Sequence, residues 1–187
     1  MKFISFLFMT LIMTANAGSD NAVDVALNFA AQKILNLKVT SIYKKALSCG
    51  TLELDEQNGD SVKDWIVMEP EIPDWRMLKQ LKSVAFEARD YAQTKVAHDK
   101  VKHCFAGCFI RKKLDLKSAV MIGWLKELSD SSDCTIETKF EKGDYQATVA
   151  GAIAGKNIAD CATFCQRNDI KDATGEVMLE IATRESH

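Results

Sequence analysis

The chain has 187 residues, 47% hydrophobic and 27% charged, with 24 lysines and arginines against 26 aspartates and glutamates, for a formal charge of −2. That balance forms no basic stripe, which excludes nucleic acid as an expected partner. Beyond the N-terminal region no stretch approaches the roughly 20 apolar residues that a membrane-spanning helix needs, so no stable membrane insertion is expected.

Residues 1–17, MKFISFLFMTLIMTANA, read as a secretory signal peptide. Lys2 precedes an apolar stretch from Phe3 to Met13, and Ala15 and Ala17 stand in the A-x-A arrangement found before a cleavage site. The apolar part is too short to span a bilayer, and no cysteine follows it to carry a lipid anchor. Cleavage leaves residues 18–187, about 170 residues, the usual size of one domain. The expected location is periplasmic or secreted.

Two prolines and nine glycines leave few helix breakers, and apolar residues recur mostly at helical spacing. Asp20 is placed to cap a helix running to about Ser48, with Val23, Leu27, Ala30, Ile34 and Leu37 on one face and Gly50 as its stop. The polar stretch 52–65 reads as a loop. Pro70 and Pro73 exclude a helix interior and let a helix begin at about Asp74. From there to Arg111 the spacing fits one long helix or two joined near residue 97. A further helix over 119–130 has Ser118 as its expected cap, and residues 131–143 read as a loop or short hairpin, with Ile136, Thr138 and Phe140 alternating. Asp144 is expected to cap a helix continuing to about Cys165, and GEVMLEIATRESH adds a last short helix. The fold class expected is mainly α: a single, disulfide-stapled helical bundle.

All six cysteines, Cys49, Cys104, Cys108, Cys134, Cys161 and Cys165, lie after the signal peptide, and an even number in an exported chain points to disulfides. Residues four apart share a helix face, so HCFAGC (103–108) and CATFC (161–165) each present two sulfurs one turn apart. Facing helices then take two bonds. Parallel helices pair Cys104 with Cys161 and Cys108 with Cys165; antiparallel helices exchange the partners. An up-down order through the intervening helix favours the parallel pairing, and Cys49 is left for Cys134. Zinc is the competing reading for His103 beside two cysteines, but zinc pairs usually sit at shorter intervals and exported thiols are usually oxidised.

The remaining polar residues form an ordered set: Asp99-Lys100-x-x-His103, then Gly123-x-x-Lys126-Glu127-x-x-Asp130, then Asp144 followed by Gly151 and Gly155. This set, over about residues 97–166, resembles the YfiM-like group of bacterial envelope proteins and cysteine-bearing relatives at the ends of some Rhs-type proteins. The resemblance implies a bacterial envelope setting and brings no established reaction. It divides the mature chain into N-terminal helices (18–96), a family-like core (97–166) and a tail (167–187).

Two functions are compatible with these residues. In the first, the chain is an exported envelope protein of binding or structural character, with a buried cluster in which Asp99 holds His103 and Lys126 or Lys100 neutralises Glu127. Peptidoglycan or another envelope component is then the expected partner. In the second, the protein is a muramidase-type peptidoglycan hydrolase. Glu127 is the proton donor, kept protonated by burial, Asp130 or Asp144 is the second carboxylate, and Glu141 is an alternative acid. That reading predicts an open groove beside Glu127, with Trp65, Trp75, Trp124, Tyr91 or Tyr145 available to stack on sugars; such residues are more often core aromatics. A third reading is metal-dependent hydrolysis by His103 with Asp99, Glu127 and Asp144, an oxygen-rich set with one histidine that is uncommon for zinc and suits calcium or manganese. No cofactor-binding motif is present. Gly151-x-x-x-Gly155 reads as a close-packing stripe, and Arg111-Lys112-Lys113 as cations at a helix end.

Overall fold

The computed structural model describes residues 21–49, 71–135, 140–171 and 174–185. They form α1 (Asn21–Cys49), α2 (Trp75–Lys95), α3 (Asp99–Lys113), α4 (Leu116–Ser131), α5 (Lys142–Ala154), α6 (Cys161–Cys165), α7 (Asn168–Lys171) and α8 (Gly175–Glu185). The class is mainly α, with no strand among the described residues. No helix there is long and apolar enough to cross a membrane. The signal-peptide segment, the 52–65 loop, Asp20 and Trp65 lie outside the described residues, as do Ile136 and Thr138 of the expected hairpin.

Helix α5 is the centre of the molecule. Its sequence, KGDYQATVAGAIA, is buried almost without interruption from Asp144 to Ala154. Small residues all round the helix let α3, α4 and α8 approach from different sides. The contact with α3 is the tightest: a β-carbon on Gly107 would lie 1.9 Å from the Thr148 carbonyl oxygen, and one on Gly151 would lie 1.9 Å from the Cys104 carbonyl oxygen. Backbone therefore packs on backbone, with α3 and α5 running the same way, since Lys100 meets Asp144 and Cys108 lies by Gly155.

Around this pair the apolar residues fall into patches. Cys104, Ala147, Ala150, Phe164, Ile170, Met178 and Ile181 join α3 and α5 to the C-terminal helices. Trp124, Leu128, Phe140, Tyr145 and Val149 pack with Val39, Ile42, Tyr43 and Ala46 of α1. Leu78, Leu81, Val84 and Ala88 of α2 meet Ile110, Ala119 and Ala152.

Local chemistry explains the helix ends. The Asp74 carboxylate accepts from the Arg76 N–H at 2.8 Å and caps α2, as its position after Pro73 suggests. The break near residue 97 is real: Val96 and His98 are extended, so α2 and α3 are separate helices. Helix α3 begins with Asp99 and ends with Arg111, Lys112 and Lys113, charges that suit the helix dipole at each end.

Two expected boundaries are corrected. Helix α4 is capped by Asp115, whose carboxylate accepts from the Ser118 N–H at 2.7 Å, so Ser118 lies inside the helix and is buried. The helix expected from Asp144 to Cys165 is two helices. Glu141 takes the N-cap position of α5, the helix stops at Ala154, and α6 restarts behind Asp160, whose side chain accepts from the Ala162 N–H. Lys112 holds the turn by donating to the Ile158 and Ala159 carbonyls at 2.6 and 2.7 Å.

That turn decides the disulfides. The parallel pairing is overturned: Cys104 bonds Cys165 and Cys108 bonds Cys161, with Cα separations of 5.9 and 5.7 Å. Helix α5 does run parallel to α3, but the chain reverses between Gly155 and Asp160 and returns α6 antiparallel. Cys49 bonds Cys134, as expected, tying the end of α1 to the residues after α4.

Candidate functional site

His103 projects from α3 toward the face that α4 and α5 share. Its Nε2 lies 3.2 Å from Asp144 Oδ2 and its Nδ1 lies 3.9 Å from Glu127 Oε1. The Thr148 hydroxyl, one turn beyond Asp144, stands 3.4 Å from Nδ1 and donates to the Asp144 carbonyl at 3.0 Å. Gly123 makes room for this threonine: a β-carbon there would meet Thr148 Cγ2 at 2.7 Å. The small residues in the motifs are thus the reason three polar side chains on three helices converge.

Glu127 is the most enclosed of them, at 1% exposure. Its Oε2 accepts from the Glu141 backbone N–H at 3.2 Å, while Oε1 has no hydrogen-bond partner. Burial pushes its pKa up to about 8, with Lys126 opposing and Asp144 adding to the rise. Burial also holds His103 below its usual value, against the pull of Asp144. Near neutral pH both groups are therefore driven toward their uncharged forms.

Two lysines flank the cluster. Lys100 pairs with Asp144 and, at 3.5 Å, with Glu141. Burial opposes its charge, but Asp144 and then Glu141 outweigh that and hold the ammonium above its usual range. Lys126 pairs with Asp130 and stands 3.7 Å from Glu127 Oε1. Lys126 is thus the lysine that stands beside Glu127, whereas Lys100 pairs with Asp144. Asp144, more than Asp99, holds His103.

Among the proposed acids, Glu127 and Asp144 come together with His103. Asp130 lies on the outer side of α4 with Lys126, and the Glu141 side chain is 44% exposed beside Lys100. Only the backbone of Glu141 reaches Glu127. Among the described residues no open groove lies beside Glu127: the residue is 1% exposed and held by the chain at Glu141. Trp124 and Tyr145 pack edge-on with each other and against Phe140 in the core, so neither lines a sugar-stacking surface. Tyr91 stacks on Phe105 at 4.6 Å, and Lys79 covers Trp75. Thr148 was not legible as a site residue, although a hydroxyl one turn after Asp144 on a small-residue helix was the available sign.

Among the described residues one group has ligand atoms close enough to share a metal ion: Asp99, His103 and Asp144, all within 4.8 Å of one another. Asp99 is on the exposed side and Asp144 on the buried side.

Fold and cluster together define a mainly helical, disulfide-linked protein with an enclosed carboxyl–imidazole centre. Comparison with known proteins returns no matching family model, no matching curated relative and no matching solved structure.

Proposed function

We propose that the chain is an exported bacterial cell-envelope protein of binding or structural character, in which His103, Glu127 and Asp144 form a polar support between helices and not a reaction centre. The observation that carries this reading is the enclosure of Glu127, which at 1% exposure cannot deliver a proton to a bulky glycosidic oxygen. Three disulfides suit an oxidising compartment, in keeping with the signal-like residues 1–17. The likeness of residues 97–166 to YfiM-like envelope proteins supports the bacterial setting, and peptidoglycan or another envelope component is the partner to test first.

One observation favours the muramidase reading: a carboxyl pushed up to about 8 beside a second carboxyl is what a general acid requires. Zymography on native and chemically modified peptidoglycan separates the two, run on the parent, Glu127→Gln and Glu141→Gln. The envelope-binding reading predicts no clearing by any of them and co-sedimentation of the parent with purified wall. Clearing by the parent that disappears in Glu127→Gln would replace it with the hydrolase.

A further inference from the structure

We propose that Asp99, His103 and Asp144 form a binding site for one divalent transition-metal ion, of the manganese, iron(II) or zinc class, that bridges α3 and α5. The inference goes beyond the envelope reading and needs only the geometry of the cluster.

Three features converge on it. First, Asp99 and His103 are one turn apart on α3, and Asp144 meets them from α5, with all three ligand atoms within 4.8 Å. The 3.2 Å between His103 Nε2 and Asp144 Oδ2 is already close to the roughly 3.0–3.5 Å that separates two ligands on one ion with bonds of about 2.1 Å.

Second, the ring is held from behind. The Thr148 hydroxyl stands 3.4 Å from His103 Nδ1 and is itself fixed by donating to the Asp144 carbonyl at 3.0 Å, which leaves Nε2 facing the Asp144 carboxylate. A cation bound between Nε2 and Oδ2 would replace the contact they make with each other.

Third, Glu127 Oε1 is buried without a hydrogen-bond partner, 3.9 Å from His103 Nδ1 and 3.7 Å from the Lys126 ammonium. Polar groups behind the non-ligating nitrogen orient metal-binding histidines, and Glu127 and Thr148 stand there.

The imidazole ligand favours a transition ion over calcium or magnesium, which prefer oxygen throughout. Lys100 occupies Asp144 Oδ1 and leaves Oδ2 free, so it does not block the site but weakens it by charge repulsion. Three protein ligands leave coordination positions on the exposed Asp99 side for water or for an oxygen ligand from a partner.

The test uses the oxidised chain lacking residues 1–17, freed of metal by chelator and titrated with Mn²⁺ followed by electron paramagnetic resonance and with Zn²⁺ by calorimetry. Expected are one bound equivalent, nitrogen coupling in the Mn²⁺ spectrum that is lost in His103→Gln, and affinity reduced at least about tenfold in Asp99→Asn and in Thr148→Val. Lys100→Met is expected to tighten binding. Asp99 is exposed and Thr148→Val keeps the side-chain shape, so neither variant depends on a refolded core. Absence of saturable binding at millimolar metal, absence of nitrogen coupling, or affinity unchanged in both Asp99→Asn and Thr148→Val would overturn the site. Metal occupancy is read independently of wall clearing or wall binding, so either proposal fails alone.

Discussion

At the residue scale the unusual group is Glu127. Burial, with Asp144 and Asp130 adding to it, outweighs Lys126 and the Glu141 N–H and pushes its pKa up to about 8 from an ordinary 4.5. The folded state therefore holds a proton between pH 4.5 and 8 that the unfolded chain releases, and stability contributed by this group falls as pH rises across that window. A shift of that size corresponds to something on the order of 4 kcal/mol at the upper end. His103 acts in the opposite sense: its depressed value costs stability as pH falls below about 6.5. Glu127→Gln keeps the acceptor for the Glu141 N–H and cannot ionise. In chelator, urea titrations should find the variant close to the parent at pH 4.5 and several kcal/mol more stable above pH 8. Equal stabilities at pH 9 would mean that Glu127 is solvated and not enclosed.

At the element scale the α3–α5 contact is the critical joint. A β-carbon at Gly107 or Gly151 would stand 1.9 Å from a backbone carbonyl oxygen, which no rotamer change relieves, so the helices must separate. Gly107→Ala and Gly151→Ala are each expected to cost about 3 kcal/mol or more by urea unfolding. At Gly155 the nearest atom is the Cys108 carbonyl oxygen at 2.9 Å and the next are Arg111 side-chain carbons that can move, so Gly155→Ala should cost clearly less. Equal, small effects at all three positions would contradict the packing. The Gly151-x-x-x-Gly155 pattern announced this contact because small residues at helical spacing admit a neighbouring backbone. Its partner, Gly107, was legible only as a glycine within a cysteine motif.

What was and was not legible follows the same division. Asp74 after a proline, the break near residue 97 and the four-residue cysteine spacing are local signals, and local structure obeyed them. The stop after Ala154 was not legible, because the segment GKNIAD contains one glycine and no proline, and its turn is held by Lys112 from another helix. Ser118 was mistaken for a cap because Asp115, three residues earlier, does that work. For the cluster, the motif spacing placed His103, Glu127 and Asp144 on inward helix faces. Which lysine serves which acid depended on how the helices cross, and no spacing within one helix encodes that.

At the scale of the whole molecule, three disulfides hold the arrangement, each joining segments far apart in sequence. The Cys104–Cys165 and Cys108–Cys161 bonds fasten α6 along α3, and Cys49–Cys134 ties α1 to the end of α4. Long loops closed in the unfolded chain make such bonds worth about 2–4 kcal/mol each. Reduction under mild conditions should therefore lower the melting temperature by well over 10 °C and release protection of amide hydrogens in α6 before α5. Unchanged melting on full reduction would show that the helices hold together without the sulfurs.

The antiparallel return of α6 along α3 sets which cysteines meet, and peptide mapping of the oxidised protein tests it most directly. Trypsin leaves both bonds between the same two peptides, but chymotryptic cleavage after Phe105 and Phe164 separates Cys104 from Cys108 and Cys161 from Cys165. The account predicts fragments joined as Cys104–Cys165 and Cys108–Cys161. Fragments joined as Cys104–Cys161 and Cys108–Cys165, or free thiols at these positions, would contradict it.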